Sequence, residues 1–421
     1  MDTKYLFRTA LLAVPLLAAV SCIYPFEPEL PATSEHPLVV EGDIHLGGQT
    51  TLRLSHVRSL TEDGFAYDPI YCQGYIEGED GTRIEGDTSP FVNEPGILDS
   101  GYGSALLIGN VGVNNLHFDT AGLTKVQRYR LHFDTLSESG NVLNTFESDW
   151  LDPCPAPTID GLSYTTHEDL EELWIGLSMH CNGAHYFRWT FSEVWEYHSD
   201  LDSHLVWDRA SWTMRSYDMR IDGYPSLYYC WKTSNSSQIN IFSTANQKED
   251  RFEELAFHRI ARSDKRLQVM YHITVRLEAM SENAYNYWHN MQQVSEGQGS
   301  LFAPTPSEMA SNIHCITDPG LQVIGYLGAG VQAVADMYYD NSQVKFYQSA
   351  GFYPRDDQTV SASRPDSMDY WYNRRYLPFN EIYEGLSDQP SAYVWTPGEC
   401  IDCRRQGGTK TAPEGWPTGH K

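Results

Sequence analysis

Basic residues are scarce in this chain of 421 residues: 29 Lys and Arg stand against 56 Asp and Glu, a formal net charge of −27. No run of Lys and Arg occurs anywhere along it. A polyanion is held by a local concentration of positive charge, so nucleic acid is an improbable partner. Long hydrophobic runs are missing too. The apolar stretch Thr9 to Val20 falls short of the roughly 20 residues that span a bilayer, and no later run is long and apolar enough to cross. Also absent are the local signatures by which exported enzymes are recognised. There is no GxSxG, and His167-Glu168-Asp169-Leu170-Glu171 begins like a zinc helix but lacks the second His. Gly325, Gly328 and Gly330 are in the wrong order for a dinucleotide loop, and no EF-hand loop follows Asp200-Leu201-Asp202. No catalytic residue, metal or cofactor is therefore assigned, and the chain reads as a binding protein rather than an enzyme. What it has in quantity is aromatics, 13% of residues with 27 Tyr and 11 Trp. That load argues against disorder, which goes with little to bury. The length is comfortable for two domains plus tails.

The N-terminus sets the expected compartment. Residues 1–22 carry a short basic start, Lys4 and Arg8, an apolar stretch, and then Ala19-Val20-Ser21-Cys22. A short apolar run ending in small residues against a cysteine is a secretory signal with a lipoprotein cleavage site. Cys22 is the expected lipid anchor, because several acyl chains on one residue hold stably where a single chain is marginal. Residues 23–37 contain Pro25, Pro28, Pro31 and Pro37 and no hydrophobic period. Such a segment is an extended, semi-rigid tether. Of eight cysteines, seven remain beyond Cys22: Cys72, Cys154, Cys181, Cys230, Cys315, Cys400 and Cys403. An oxidising compartment permits disulfides, and an odd number leaves at least one thiol over. Cys400, Cys403, Cys315, Cys230, Cys181 and Cys154 are the candidates, with connectivity open. A zinc reading of Cys400-x-x-Cys403 finds no second CxxC or HxxxH at a zinc-finger spacing,.

From residue 38 onward the hydrophobic period is two. Leu52 and Leu54 share a face, as do Tyr129, Leu131 and Phe133, and Asp80-Gly81 and Ser139-Gly140-Asn141 supply turns,. Short alternating strands with regular turn signals predict a β-sandwich over 38–152, ending near Asp152-Pro153. A second β-rich domain is predicted over 153–385. Its strongest strand is Leu267 to Leu277, with Leu267, Val269, Tyr271, Ile273, Val275 and Leu277 on one side,. One short helix is predicted over 282–294, capped by Ser281, with Tyr285, Trp288 and Met291 as a packing stripe. Val323 to Gly330 reads as a final strand region, and 386–421 as an irregular tail carrying the CxxC. The fold class is thus mainly β, two sandwich-like domains of the immunoglobulin or carboxypeptidase-regulatory kind. Tyr370, Trp371, Tyr372 and Tyr376, beside Arg374 and Arg375, are candidate interface aromatics: a protein contact or a stacking platform for sugars, unless they close the core of the second domain.

Several segments together carry a resemblance. They are Leu38-Val-Val-Glu-Gly42 after the lipoprotein cysteine, His185-Tyr-Phe-Arg-Trp-Thr190 shortly after Cys181, Ser281-Glu-Asn-Ala-Tyr-Asn-Tyr-Trp288, and Gly325-Tyr326. The last is Cys400-Ile-Asp-Cys403 with a following Gly-Gly and an ending at Trp416. In this order they resemble a Bacteroidota family of outer-membrane lipoproteins catalogued as a domain of unknown function. The first domain also resembles the regulatory β-sandwich of carboxypeptidases and of transporter N-terminal extensions. The resemblance implies a companion of TonB-dependent outer-membrane transporters, with no family catalytic residue to carry over. The expectation is a lipid-anchored outer-membrane protein at the cell surface, an accessory subunit of a nutrient transporter. The rival expectation is a stand-alone surface adhesin that binds glycan or protein.

Overall fold

The computed structural model describes residues 37–57, 69–86, 112–217, 226–296, 311–349 and 355–417. Cys22 and the tether up to residue 36 lie outside these. Where the sequence alternates, the strands do. In Gln49–His56, Thr50, Leu52 and Leu54 turn inward between exposed Gln49, Thr51 and Arg53. In Tyr129–Leu136, Tyr129, Leu131 and Phe133 do the same. Leu38–Glu41 and Asn115–Asp119 flank Gln49–His56 in one antiparallel layer. Arg83–Glu85, Tyr71–Gly78, Tyr129–Leu136 and Val142–Ser148 form the facing layer. Leu52, Phe118, Leu131, Phe133 and Phe146 fill the space between them.

This first sandwich is completed from far along the chain. Ile313–Cys315 adds to Val142–Ser148, Val323–Ile324 pairs parallel with Leu38–Glu41, and Ala329–Gly330 pairs parallel with Ile44–His45. Residues 311–331, placed by periodicity in the 153–385 domain, thus pack into the 38–152 sandwich. The pattern signals a strand but not its partner, because parallel pairing needs a long crossover that leaves no local mark. Gly325 is where the returning chain presses closest: its φ is +139° and a Cβ there would lie 2.1 Å from the Val40 carbonyl oxygen. Only glycine fits.

The second sandwich sets Thr158–His167, Glu172–His180 and Arg251–Ala261 against a larger sheet. That sheet centres on Tyr186–His198, bonded to Tyr229–Asn235 and Asn240–Ser243 on one side and Met270–Ala279 on the other, with Ala333–Asp340 beyond. Tyr271, Ile273, Val275 and Leu277 are fully buried, while Lys265–Leu267 forms a 3-10 turn ahead of the strand. The helix spans Glu282–Glu296, and the Ala284 amide donates to the Ser281 hydroxyl at 3.2 Å, the cap expected of that serine,. Ala284 and Tyr287 are its buried residues; Tyr285, Trp288 and Met291 are only half-buried.

Two further helices, Asn341–Val344 and Pro365–Asn373, depart from the single-helix expectation. The second belongs to a small unit built on Gln358–Ser361, Ala392–Pro397 and Tyr376–Ile382, which packs against the hairpin Leu205–Asp208/Thr213–Ser216. Ala392–Pro397 is the central strand of that sheet, so a tail beginning at 386 cuts through it. Six residues between Gly- and Pro-rich flanks carry too little period to be read alone; Trp395, fully buried, reveals the strand only with its neighbours in place. Irregular chain begins at Gly398–Cys400 and is pinned to the second sandwich by Cys230–Cys403. Thr409 bridges Trp231, and the Trp416 indole donates to Glu196 at 3.0 Å.

The Cys230–Cys403 link closes 173 residues of sequence separation; by chain entropy alone such a loop is worth up to about 5 kcal/mol. Cys230→Ser is expected to lower the unfolding free energy by a few kcal/mol and to open 398–417 to protease. Reductant should do the same to the wild type and add nothing in the variant. An unchanged denaturation midpoint would show that the tail docks without the covalent link.

Candidate functional site

On Tyr186–His198 the alternation of Phe187 and Trp189 leaves Arg188 on the opposite face, directly across from Glu278 of Met270–Ala279. Arg188 Nε donates to Glu278 Oε1 at 2.8 Å. The first sandwich supplies the other half. After Leu38–Glu41 the chain turns at Gly42, and Asp43 reaches across to ion-pair with the Arg188 guanidinium. The second oxygen of Asp43 accepts from the Gly328 amide at 2.6 Å. Trp288 of the capped helix lies 5.0 Å from the guanidinium carbon, stacked on its face, and His45 Nδ1 stands 3.7 Å from Glu278 Oε2. Tyr287 meets Tyr326 at 5.5 Å beside them. Asp43, Arg188, Glu278 and Trp288 line a cleft of about 300 Å³ including its open mouth, floored by Gly328 to Gly330.

The three charged side chains are 12 to 15% exposed. Burial lifts the Asp43 carboxyl from its ordinary 3.8 to about 6; Arg188 pulls it down and Glu278 pushes it up. Burial works against the Arg188 charge as well, yet the two carboxylates more than restore it and raise its pKa. Two carboxylates on one guanidinium leave an excess negative charge in a dry place, which is why a proton is taken up so readily at Asp43. Asp43 and Glu278 thus both face the Arg188 guanidinium, and Asp43 also takes the Gly328 amide. The arrangement is a strut between sandwiches, and the described residues that line the cleft include no Ser, Thr or Cys.

A second buried carboxylate sits inside the distal sandwich. Glu193, 4% exposed, follows Trp189 and Phe191 on the inward face of its strand. Its Oε1 accepts from Arg266 at 2.8 Å, from the Tyr271 hydroxyl at 2.8 Å and faces His258 Nε2 at 3.0 Å. Burial raises its pKa, but the bond to His258, the charge of Arg266 and the Tyr271 hydroxyl outweigh it and hold the carboxyl below its usual value. Burial and the neighbouring carboxylate push Tyr271 well up. Glu193 is not among the residues that the sequence singles out; its place between Phe191 and Trp195 on an apolar face is the signal that could have found it, though its partners could not be read locally. Asp43, Arg188 and Glu278 had no such mark.

The candidate cysteines separate. Cys230 and Cys403 are bonded, whereas Cys154, Cys181, Cys315 and Cys400 are thiols, so the CxxC does not close on itself. Cys315 lies in the core of the first sandwich, Cys181 in that of the second, and Cys400 beside Leu201 and Ile401. Burial pushes the Cys154 thiol up to about 11. The candidate aromatics also divide. Trp371, Tyr372 and Tyr376 pack against Trp207 and Trp395 in the small unit's core. Tyr370 is 47% exposed, with Arg374 stacked 3.7 Å above its ring.

Fold and junction define a mainly β protein of two sandwiches locked by buried ion pairs, with an appended aromatic unit. Over residues 23–335 the chain matches the family described as Domain of unknown function (DUF4249), and it belongs to that family. No protein of curated function matches it. Four of the segments on which the resemblance rests, those with Gly42, Arg188, Trp288 and Gly325-Tyr326, converge on the junction.

Arg188→Gln leaves two carboxylates without their cation and is expected to cost about 3–5 kcal/mol, read from urea unfolding. Asp43 and Glu193 give opposite pH responses. Folded Asp43 binds a proton between 6 and 3.8 that the unfolded chain does not. The wild type should therefore gain stability over Asp43→Asn as pH falls through that window, by about 2–3 kcal/mol. Glu193, held low, stabilises above its ordinary 4.5 and loses that contribution only as pH falls through its depressed value. Wild type minus Glu193→Gln should thus be flat from pH 7 to 5 and decline below. Parallel profiles for the two pairs would refute the assignment.

Proposed function

We propose that the protein is an outer-membrane lipoprotein, anchored through Cys22, that serves as an accessory subunit of a TonB-dependent nutrient transporter and binds rather than catalyses. The observation that carries this reading is the N-terminal order: an apolar signal-like run, Ser21-Cys22, and a proline-rich tether. The family match begins at residue 23, one position beyond that cysteine. The junction supports it from the other side. A charged cluster whose groups satisfy one another suits a rigid scaffold, and a subunit that positions a ligand or a neighbour gains from rigidity. Among the described residues no helix is long and apolar enough to cross a membrane, which fits attachment by lipid.

A surface adhesin is favoured by one specific feature. Trp212, at the tip of the Leu205–Asp208/Thr213–Ser216 hairpin, is 48% exposed and holds a left-handed φ of 55°. A bulky residue in that conformation is costly, and its ring meets the buried Trp207 edge-on at 6.2 Å. Trp212 on the hairpin and Tyr370 on the small unit packed against it are the groups through which a glycan or protein would be held.

Pull-down of the tagged full-length protein from native outer membranes in mild detergent separates the readings. A stoichiometric TonB-dependent transporter in the eluate is the expected outcome. Arrival of the protein alone, with glycan binding lost in Trp212→Ala, would replace the accessory role by the adhesin.

A further inference from the structure

The tether enters the first sandwich at one end. Pro37 accepts from the Val57 amide at 3.0 Å, and the Leu38 amide donates to Gln322 at 3.2 Å. The junction to the second sandwich lies at the other end of the same strand, where Asp43 meets Gly328. What else reaches the tether end follows from the pairing. Residues 312 and 327 are bonded near the junction, so Ile313–Cys315 runs away from it and the chain returns through Leu321 to Val323 beside Leu38. Ile316, its amide on the Thr145 carbonyl at 2.7 Å, therefore stands at the tether end. Val142 and Leu143 extend past Thr145 in the same direction, in the hairpin that turns at 137–141.

These three side chains are exposed: Val142 51%, Leu143 58% and Ile316 53%. They are held in place. The Thr145 amide donates to the Thr317 hydroxyl at 3.1 Å, and that hydroxyl donates to Asn144 at 3.1 Å, fastening one tip to the other. The Asn141 amide donates to Ser137 at 3.1 Å and fixes the turn. Residues 137–145 and 316–322 contain no Lys or Arg; their charged groups are Glu138 and Asp318. Three aliphatic side chains on these adjoining tips, away from the core, present apolar surface that nothing among the described residues covers,.

We propose that this tip, Val142, Leu143 and Ile316, seats in the interfacial region of the lipid bilayer to which Cys22 is joined. The proposal rests on the lipid-anchor reading of Cys22. Fifteen residues, 23–37, separate the acylated cysteine from the sandwich, at most about 45 Å when extended at ~3.1 Å per residue. The tether end of the body is thus confined next to the membrane, and confinement makes a weak contact effective. With no Lys or Arg in 137–145 or 316–322, the contact these two segments make is apolar, suits zwitterionic lipid, and does not fade with salt. Seated this way, the first sandwich stands on the membrane and carries the junction, the second sandwich and the aromatic unit outward.

The test is hydrogen exchange on the full-length acylated protein in phosphatidylcholine vesicles, read in peptides covering 137–145 and 316–322. The comparison proteins are full-length Leu143→Asp in the same vesicles and full-length Cys22→Ala in free solution. The expected result is exchange slowed several-fold in those two peptides of the anchored wild type, unchanged at 0.5 M salt (on the order of a 4 Å screening length) and abolished by Leu143→Asp. Equal exchange in wild type and Leu143→Asp, with both acylated and floating with vesicles, would overturn the proposal and leave the anchor standing. Protection that arises only when a transporter is added would overturn it in favour of a protein contact. An intact mass without acyl chains on Cys22 would overturn the anchor and this proposal together.

Discussion

The architecture depends on one shared guanidinium. Arg188 answers Asp43 from the first sandwich and Glu278 from the second, with Trp288 on its face. In a chain of net charge −27, two domains brought edge to edge repel unless a cation stands between them. The same economy recurs in the distal core, where Arg266 and His258 face the buried Glu193. Removing one member of such a set strands the others in a medium that solvates them poorly. The cost of breaking it is therefore larger than the net worth of forming it.

Around that contact the chain is closed by elements far apart in sequence. Val323–Ile324 pairs with Leu38–Glu41, Cys403 bonds Cys230, and Trp416 covers Glu196. The first closure gives the first sandwich its last strands only after the second has been traversed. The other two return the C-terminal segment to the middle of the molecule. Each brings a domain boundary under the control of a distant residue, which favours one cooperative body over independent beads. Such long-range pairing is also slow to find, since loop closure precedes any reward.

The proposed roles distribute along this body without competing. The anchor and the proposed lipid-facing tip share the tether end of the first sandwich. The ion-paired junction holds the opposite end. Tyr370 lies on the small unit and Trp212 on the hairpin packed against it, a hairpin that belongs to the region the family match covers. The small unit's strands and helix, from 358 onward and with them Tyr370, fall outside the matched region, whereas Trp212 falls inside it.

Periodicity was enough for much of the fold. The alternation in Tyr129–Leu136, Tyr186–His198 and Met270–Ala279, and the Ser281 cap, are properties of neighbouring residues, and the mainly β, sandwich-like body follows from burying one face of each strand,. Glu193 shares its face with Trp189, Phe191, Trp195 and Tyr197, a carboxylate where the side chains must be dry. Sequence could not say that Val323 pairs with Leu38, that Ala392–Pro397 is a central strand, that Cys403 chooses Cys230 over Cys400, or that Asp43 and Glu278 share Arg188. Those outcomes depend on which surfaces meet. Apart from the pairing of Ala392–Pro397, the contacts that decide them join residues 90 to 285 apart in the chain, beyond any local period. Sequence determined which side each strand presents; tertiary structure decided what it was presented to.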